Sequence, residues 1–592
     1  MQTRPPLYGG LFARAPWLGR LATSLHTTTA PRVVANLILL HEGEPCSGLL
    51  RRETERLLRA QPYLADATLT IYADGPEAVR VEVVTVDEPA VIGSVGVSGK
   101  APLVRALKAG SSNVRGLGVS AQAGWKDGGF YRDIWQARYS NFQLFKAPIQ
   151  MHLTAVRRDL GYDAIGEVAY PFFTDLQPRA WRVAGGASEV LVPFRTPGAE
   201  RLSLGVRRQF LDAGGVTRIG NPGHLAIVGG SITVERGNPS AESVVVTDTG
   251  LVLGDSPELR TRYDPFRSAR VNLVLGYRLV NFLRVSGFEA LAGVEDVRRG
   301  VQAAFTVGRG LPMNDAEKDE VFLTGSLYGG VGSAASFAGL EVLAEGRRVA
   351  SGDWESILMS GRFGFYLRPH PRHTWMGNLE YSAGRRQWLP FQLTLGDLRG
   401  GVRGYEDAEL GGAARLVARL EERWRFGNIR GTGDLGAAFF AEVGKLWAGD
   451  APFGRTTGYL PSVGVALLSA VPPRSRRMWR LDFAVPLQRT AGARWGMRLT
   501  NEDRTRSFWN EPNDVRRNRE RSGLVRAFVD ELPVRQREVL DLADLQGYAA
   551  SAIAEMLKID PATVRAHLFR ARRTLRARML AEHPALLEDM KP

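Results

Sequence analysis

Residues 479–488 read Trp-Arg-Leu-Asp-Phe-Ala-Val-Pro-Leu-Gln. Trp479, Leu481, Phe483, Val485 and Leu487 take every second place, and Arg480, Asp482, Ala484, Pro486 and Gln488 fill the places between. Successive side chains of a β-strand point to opposite faces, so this stretch reads as a strand with one apolar and one polar face. The period recurs upstream. Ile357, Met359, Phe363, Phe365 and Leu367 alternate with Ser360, Arg362, Gly364, Tyr366 and Arg368; Val301, Ala303, Phe305 and Val307 alternate with Gln302, Ala304, Thr306 and Gly308. Downstream, Trp495, Met497 and Leu499 alternate with Arg494, Gly496, Arg498 and Thr500.

A soluble sandwich alternates too. Three features of residues 91–509 favour a transmembrane antiparallel β-barrel. The polar face carries large charged side chains, as a wet lumen would. Trp375, Tyr381, Trp388 and Phe391 fall near strand ends, where aromatic girdles form. The region also runs past four hundred residues without a convincing helix. In lipid every backbone polar group must be paired, and a closed sheet is the one way strands achieve this.

Composition sets outer limits. The chain of 592 residues is too long for one ordinary domain, and no stretch approaches the roughly 18–20 uncharged apolar residues a membrane helix needs. Cys46 is the single cysteine, so no internal disulfide forms. The net charge of +15, mostly arginine, suits nucleic acid or anionic lipid and says nothing of fold. The first 29 residues hold Arg4, Arg14 and Arg20, and Gly9, Gly10, Arg14 and Pro16 break the apolar run Leu7–Leu21. No signal peptide is legible there, so either the chain stays inside the cell or the start of its reading frame is missing.

Residues 30–88 read as a small α/β unit. Val33–Leu40 reads as a strand, and Leu49, Leu50, Glu53, Leu57 and Leu58 give one face of a helix. Two alternating strands follow, one through Ala67, Leu69 and Ile71 and one through Val79, Val81 and Val83, joined at Asp74-Gly75-Pro76. With this strand–helix–strand–strand order, EGEPCSGLLRRETERLLRAQPYLADATLTI (residues 42–71) resembles a POTRA domain, the module that precedes the barrel in the BamA/TamA superfamily. Any other small α+β domain is the alternative.

GDLRGGVRGYEDAELGGAARLVARLEERWRF (residues 396–426) contains Val402-Arg403-Gly404-Tyr405. It resembles the signature of the long inward-folded loop of BamA/TamA-type barrels. Phe440-Ala441-Glu442-Val443-Gly444 resembles that family's Phe-x-Asp-x-Gly strand, with Glu in place of Asp. The resemblance implies about 16 strands, and a lumenal Arg403 paired with Glu442 or with Glu421 or Glu422. A forked guanidinium held by a wall carboxylate would pin a long loop. Phe508-Trp509 resembles the aromatic end of such a barrel's last strand. No catalytic constellation, cofactor site or metal-ligand spacing is legible. Glu421 and Glu422, adjacent on a strand, point to opposite faces and make no acid/base pair.

The tail changes period. Residues 510–523, NEPNDVRRNRERSG, read as an Arg-rich linker, and residues 524–592 as an all-α domain. Asp560 is a good N-cap and Pro561 suits the first helical position. On the helix they open, Val564, Leu568, Leu575 and Met579 form an apolar stripe among arginines. This is the pattern of a helix-turn-helix with a basic recognition helix. LPVRQREVLDLADLQGYAASAIAEMLKIDPATVRAHLFRARRTLRARM (residues 532–579) resembles region 4 of extracytoplasmic-function sigma factors. The resemblance implies that the domain reads the promoter −35 element and meets core RNA polymerase. Thr563, Arg565, Ala566, His567 and Arg570 would face bases and nearby phosphates, with Arg573 and Arg576 nearer the backbone. No counterpart of region 2, which melts the promoter, is legible.

Two functions therefore compete: an outer-membrane barrel acting in protein or lipid insertion or translocation, and a transcription-initiation factor. A soluble β-sandwich with a DNA-binding tail is the third reading. The linker of about 14 residues reaches at most roughly 50 Å, too little to cross a periplasm and an inner membrane. The chain is accordingly expected to be a read-through or gene-model fusion of two proteins, with a membrane-tethered regulator as the alternative.

Overall fold

The computed structural model describes residues 1–6, 17, 26–76, 78–97, 104–127, 133–196, 202–247, 250–254, 256–260, 262–311, 319–396, 401–405, 410–488, 490 and 495–503. Phe508-Trp509, the linker, the helical tail and its expected DNA-facing residues Thr563, Arg565, Ala566, His567, Arg570, Arg573 and Arg576 lie outside the described residues.

The amino-terminal unit is built from β1 (Gln2–Arg4), α1 (Pro31–Ala35), α2 (Gly48–Arg59), β2 (Leu64–Ala73) and β3 (Val79–Asp87). Its sheet has the order β1-β3-β2, with β1 parallel and β2 antiparallel to β3. Val33–Leu40, expected as a strand, instead begins as α1. Pro31 at the first helical position is preset for that conformation, and Val33, Val34 and Leu37 turn into the core. The strand position beside Val79–Asp87 is taken by Gln2–Arg4, about thirty residues earlier. Ser47 caps α2 by accepting from the Leu50 amide at 3.1 Å. Leu57 and Leu58 then meet Leu64, Ala67, Leu69 and Val83, and Phe142 from the end of strand Asp133–Leu144 outside the unit completes the core. Burying a side chain of the size of Leu58 contributes about 1.5–3 kcal/mol.

Beyond Asp87 the chain forms a closed antiparallel barrel. Among the described residues twenty strands make the ring, not sixteen. The first, Val91–Val97, meets the last, Gly496–Asp503, through one registered pair, Val95 with Leu499. His224–Thr247 pairs directly with Phe266–Ser286 along its lower half, and its upper end folds into a hairpin with Gly250–Gly254. Several early strands, such as Val104–Ser111 and Val119–Asp127, are rich in Ala, Gly and Ser, so their apolar period is weak in sequence although their backbones pair from Ala106–Ser111 to Ala121–Lys126.

The barrel has its polarity reversed relative to a water-soluble core. On Phe266–Ser286, Val271, Leu273, Leu275, Tyr277 and Leu279 point outward and are 43–49% exposed, while Arg270 and Asn272 point inward at 6% and 3%. Strand 477–486 behaves alike: Phe483 and Val485 are exposed, Arg480, Asp482 and Ala484 buried. Trp375 and Tyr381 lie on the outward register near the two ends of their strand, Tyr381 meeting Trp447 edge-on at 6.4 Å. Trp388 and Phe391 belong to no girdle. They sit in the long segment between His373–Arg385 and Ala414–Ile429, where Trp388 packs over Arg347 at 4.5 Å and donates to Glu355 at 2.6 Å. A strand-end position alone does not distinguish an outer girdle from a segment that folds inward.

The amino-terminal unit docks on one rim. Arg59 makes a two-point bond to Asp296 at 2.8 and 2.9 Å. Asn36 donates to Gln143, and Gln143 to the Val33 carbonyl, at 3.0 and 2.7 Å. Glu88 accepts from Ser475 Oγ and the Arg476 amide at 2.7 and 2.6 Å.

Candidate functional site

The loop residues Val402, Arg403, Gly404 and Tyr405 form a tight turn inside the ring. The Val402 amide bonds the Leu395 carbonyl at 2.9 Å and the Tyr405 amide bonds the Val402 carbonyl at 3.2 Å. Gly404 has φ +89°, a left-handed conformation that glycine adopts without a Cβ clash. Val402 and Tyr405 are buried with Leu395, Val417, Leu446 and Leu460. The Tyr405 hydroxyl donates to the carbonyls of Pro461 at 3.0 Å and Gln488 at 3.3 Å. The turn is thus fastened to three wall strands by apolar burial and by the tyrosine.

Arg403 sits between them. Its Nε and Nη2 reach Glu442 Oε1 at 2.8 and 2.5 Å, its own amide reaches Glu442 Oε2 at 2.9 Å, and Nη1 reaches Asp482 at 2.6 Å. The guanidinium lies over the Phe440 ring, 3.4 Å from its centroid. Glu421 is farther away, 3.9 Å from Nη2.

Strand Gly433–Trp447 explains why Phe440-Ala441-Glu442-Val443-Gly444 has its pattern. Residues 440, 442 and 444 share the inward face. Phe440 offers a ring to the guanidinium, Glu442 offers both oxygens, and Gly444 leaves room for the loop: a Cβ there would come within 2.6 Å of Val402 and 2.7 Å of Leu395. A glutamate in place of aspartate reaches one methylene farther into the lumen and here contacts both the side chain and the backbone of Arg403.

The remaining lumenal charges extend the contact. Arg480 joins Asp482 at 2.7 Å to Glu421 at 2.8 Å, Arg423 holds Glu421 at 2.6 Å, and Arg419 lies between Glu442 at 3.4 Å and Glu380 at 3.1 Å. Four arginines meet four carboxylates, so the ladder is neutral overall. Burying such charges is costly without partners, and a ladder of this kind fixes geometry more than it adds net stability. Its lower end is a second inward element. Arg423 Nη1 donates to the carbonyls of Phe288 at 3.1 Å and Glu289 at 2.8 Å.

Glu422 corrects the expected partner set. It neighbours Glu421 in sequence, so the strand pleat puts it on the other face, where it meets His373 at 3.3 Å rather than Arg403. Asp482 and Phe440 were missed as partners of Arg403, although both lie in the quoted stretches, one on the polar face of 479–488. Naming them needed the register between strands. Among the described residues no group of His, Cys, Asp and Glu gathers as metal ligands would.

Residues 522–575 match the family model of sigma-70, region 4. No curated protein matches the chain. Among solved structures the chain is similar to CdiB from Escherichia coli, at 13% identity over 85% of this chain and 75% of that chain, with a TM-score of 0.43. It is also similar to CdiB from Acinetobacter baumannii, at 11% identity over 80% and 71%, with a TM-score of 0.37. BamA from Haemophilus ducreyi lacking POTRA domains 1-3 matches at 12% identity over 80% and 82%, with a TM-score of 0.34.

Proposed function

We propose that the barrel is an outer-membrane protein of the BamA/TamA type that inserts or translocates protein or lipid, without a catalytic step or a cofactor. The observation that carries this reading is the loop turn pinned inside an inside-out barrel by Arg403. The exposed apolar side chains on the outer face suit outer-membrane lipid, since a patch of that extent would drive aggregation in water. A lumen entered by an anchored loop and lined by a neutral charge ladder suits a conduit that is held closed and opened in use. The small α/β unit is read as a POTRA-like domain, a reading supported by its bonds to one rim and its position before the barrel in the chain.

Proteoliposomes carrying the chain test the reading. Faster folding of a denatured barrel client into these liposomes, or passage of an unfolded client across them, is the expected result. Liposomes no more active than empty ones, with the protein correctly embedded, would overturn it.

A second reading applies to the tail, favoured by the region 4 match at residues 522–575. The helix opened by Pro561 is proposed to bind −35 promoter DNA alongside core RNA polymerase. The two roles belong on opposite sides of an inner membrane, so the continuous chain is read as a fusion of two proteins that act apart. A single band of about 65 kDa in purified outer membranes, recognised by antibodies to both halves, would defeat that reading.

A further inference from the structure

We infer that the turn Gly287–Gly293 is a gate across the lumen at the rim where the amino-terminal unit docks, and that Arg423 is the positioning residue that holds it shut. The inference rests on the conduit reading above.

The turn joins strand Phe266–Ser286 to strand Val294–Gly310 but does not hug that rim. It enters the ring. Phe288 is fully buried and stacks on Tyr366, with centroids 4.8 Å apart and planes 7° from parallel. Leu291 crosses to the other wall and packs with Ala438, Phe440 and Leu468. Strand Gly433–Trp447, which carries two of those residues, lies six places around the ring from Val294–Gly310. The insert is therefore a chord through the barrel, not a local bulge.

Its fastenings are reversible. Glu295 accepts from the amides of Glu289 at 3.1 Å and Ala290 at 2.6 Å, and the Glu289 carboxylate accepts from the Tyr366 hydroxyl. Arg423 holds two successive carbonyls of the turn. Each of these polar groups can be hydrated once the turn is released, and the apolar contribution comes from three side chains, Phe288, Ala290 and Leu291. Glycines stand at both ends, Gly287 with φ +76°.

Two other parts of the molecule reach the turn. From above, Arg423 is the last member of the ladder that begins at Arg403, running through Asp482, Arg480 and Glu421. From below, the side chain of Arg476 lies against Gly293, with Cγ 3.0 Å from where a Cβ would stand. Its guanidinium donates to the carbonyls of Arg59 and Gln61 in the docked unit. Undocking that unit removes the anchors of Arg476 and the partner of Asp296, three residues past the turn. The gate thus lies between the inward loop and the docked unit, in contact with what binds each.

The test uses the full chain folded in detergent and then placed in planar bilayers. Ala290→Cys in a Cys46→Ser background places a thiol on the turn, and the parent Cys46, which is exposed, sets the free rate of maleimide labelling. Ala290→Cys should label at least tenfold more slowly than Cys46. Adding Arg423→Ala should raise that rate at least tenfold and increase bilayer conductance several-fold, and Arg423→Lys should restore part of both. Leu291→Ala, which leaves the ladder intact, should release the turn in the same direction and serves if Arg423→Ala fails to fold. Fast labelling in the starting chain, or slow labelling that neither substitution changes, overturns the gate whatever the conductance. Labelling released by the substitutions with no conductance in any variant upholds the movable turn and counts instead against the conduit.

Discussion

The guanidinium of Arg403 lies 3.4 Å over the ring of Phe440, and that ring is on the same strand face as the carboxylate that binds Arg403 edge-on. A planar cation is thereby fixed in three directions at once: by a ring beneath, by Glu442 on one side and by Asp482 on the other.

Arg403→Ala should free the loop while the barrel stays closed. Glu442 keeps Arg419 at 3.4 Å and Asp482 keeps Arg480 at 2.7 Å, so the lost hydrogen bonds should cost about 1–3 kcal/mol and no carboxylate is left alone. Arg403→Lys should behave like alanine in the loop, because an ammonium cannot bond two carboxylates and lie flat on a ring together. Limited proteolysis between residues 396 and 410 reads the loop; heat-dependent gel mobility reads the barrel. Cleavage rates unchanged in both variants would refute the anchor.

Glu442→Gln and Glu422→Gln should separate sharply, though both change one glutamate by one atom. The first weakens the side-chain anchor of Arg403 in a nearly dry site and should lower the unfolding free energy by on the order of 3–5 kcal/mol. The second weakens a half-exposed pair with His373 and should cost less than about 1 kcal/mol. Equal losses in urea titrations would contradict the lumenal assignment of Glu442 and the outward one of Glu422.

Arg59→Ala should loosen the docked unit without unfolding it. The unit's core of Val34, Leu58, Tyr63 and Leu64 does not depend on Asp296. The rim loses a two-point charged bond, worth about 1.5–3 kcal/mol. Hydrogen exchange should accelerate at residues 88–91 and 473–477 and hold steady along α2. Exchange that rises across α2 would mean Arg59 serves the unit's own fold.

For the tail, Arg565→Ala should lower preference for a −35-like duplex, at roughly 1–3 kcal/mol if it reads a base. Arg573→Ala should weaken binding to every sequence and flatten the salt dependence. Titration of residues 524–592 with labelled duplexes at several salt concentrations distinguishes them. An excised tail with no salt-sensitive affinity would end the DNA-binding reading.

Much of the barrel was legible because its signal is periodic. Phe483 and Val485 against Arg480 and Asp482 declare two faces, and the large charges on one of them declare which is inside. The strand number was not legible, because Ala- and Gly-rich strands such as Val119–Asp127 pair through the backbone and show little apolar contrast. Val33–Leu40 misled for a related reason. A short apolar run has no period of its own, and Pro31 decided its conformation. At the site, Arg403 and Glu442 could be named from motifs, while Asp482 depended on how two non-neighbouring strands are staggered. The turn Gly287–Gly293 left no signal at all: Phe288 and Leu291 look like any short connection until the ring is closed around them.

The single registered pair between Val95 and Leu499 has a mechanical consequence. A hoop stretched around its circumference behaves as springs in series, so strain collects at the most compliant junction. Among the described residues nineteen of the ring's junctions are multi-rung ladders and one is a clasp of one rung. A widening force from inside would therefore open the hoop at that clasp and leave the other strands in register, changing its girth without melting its wall.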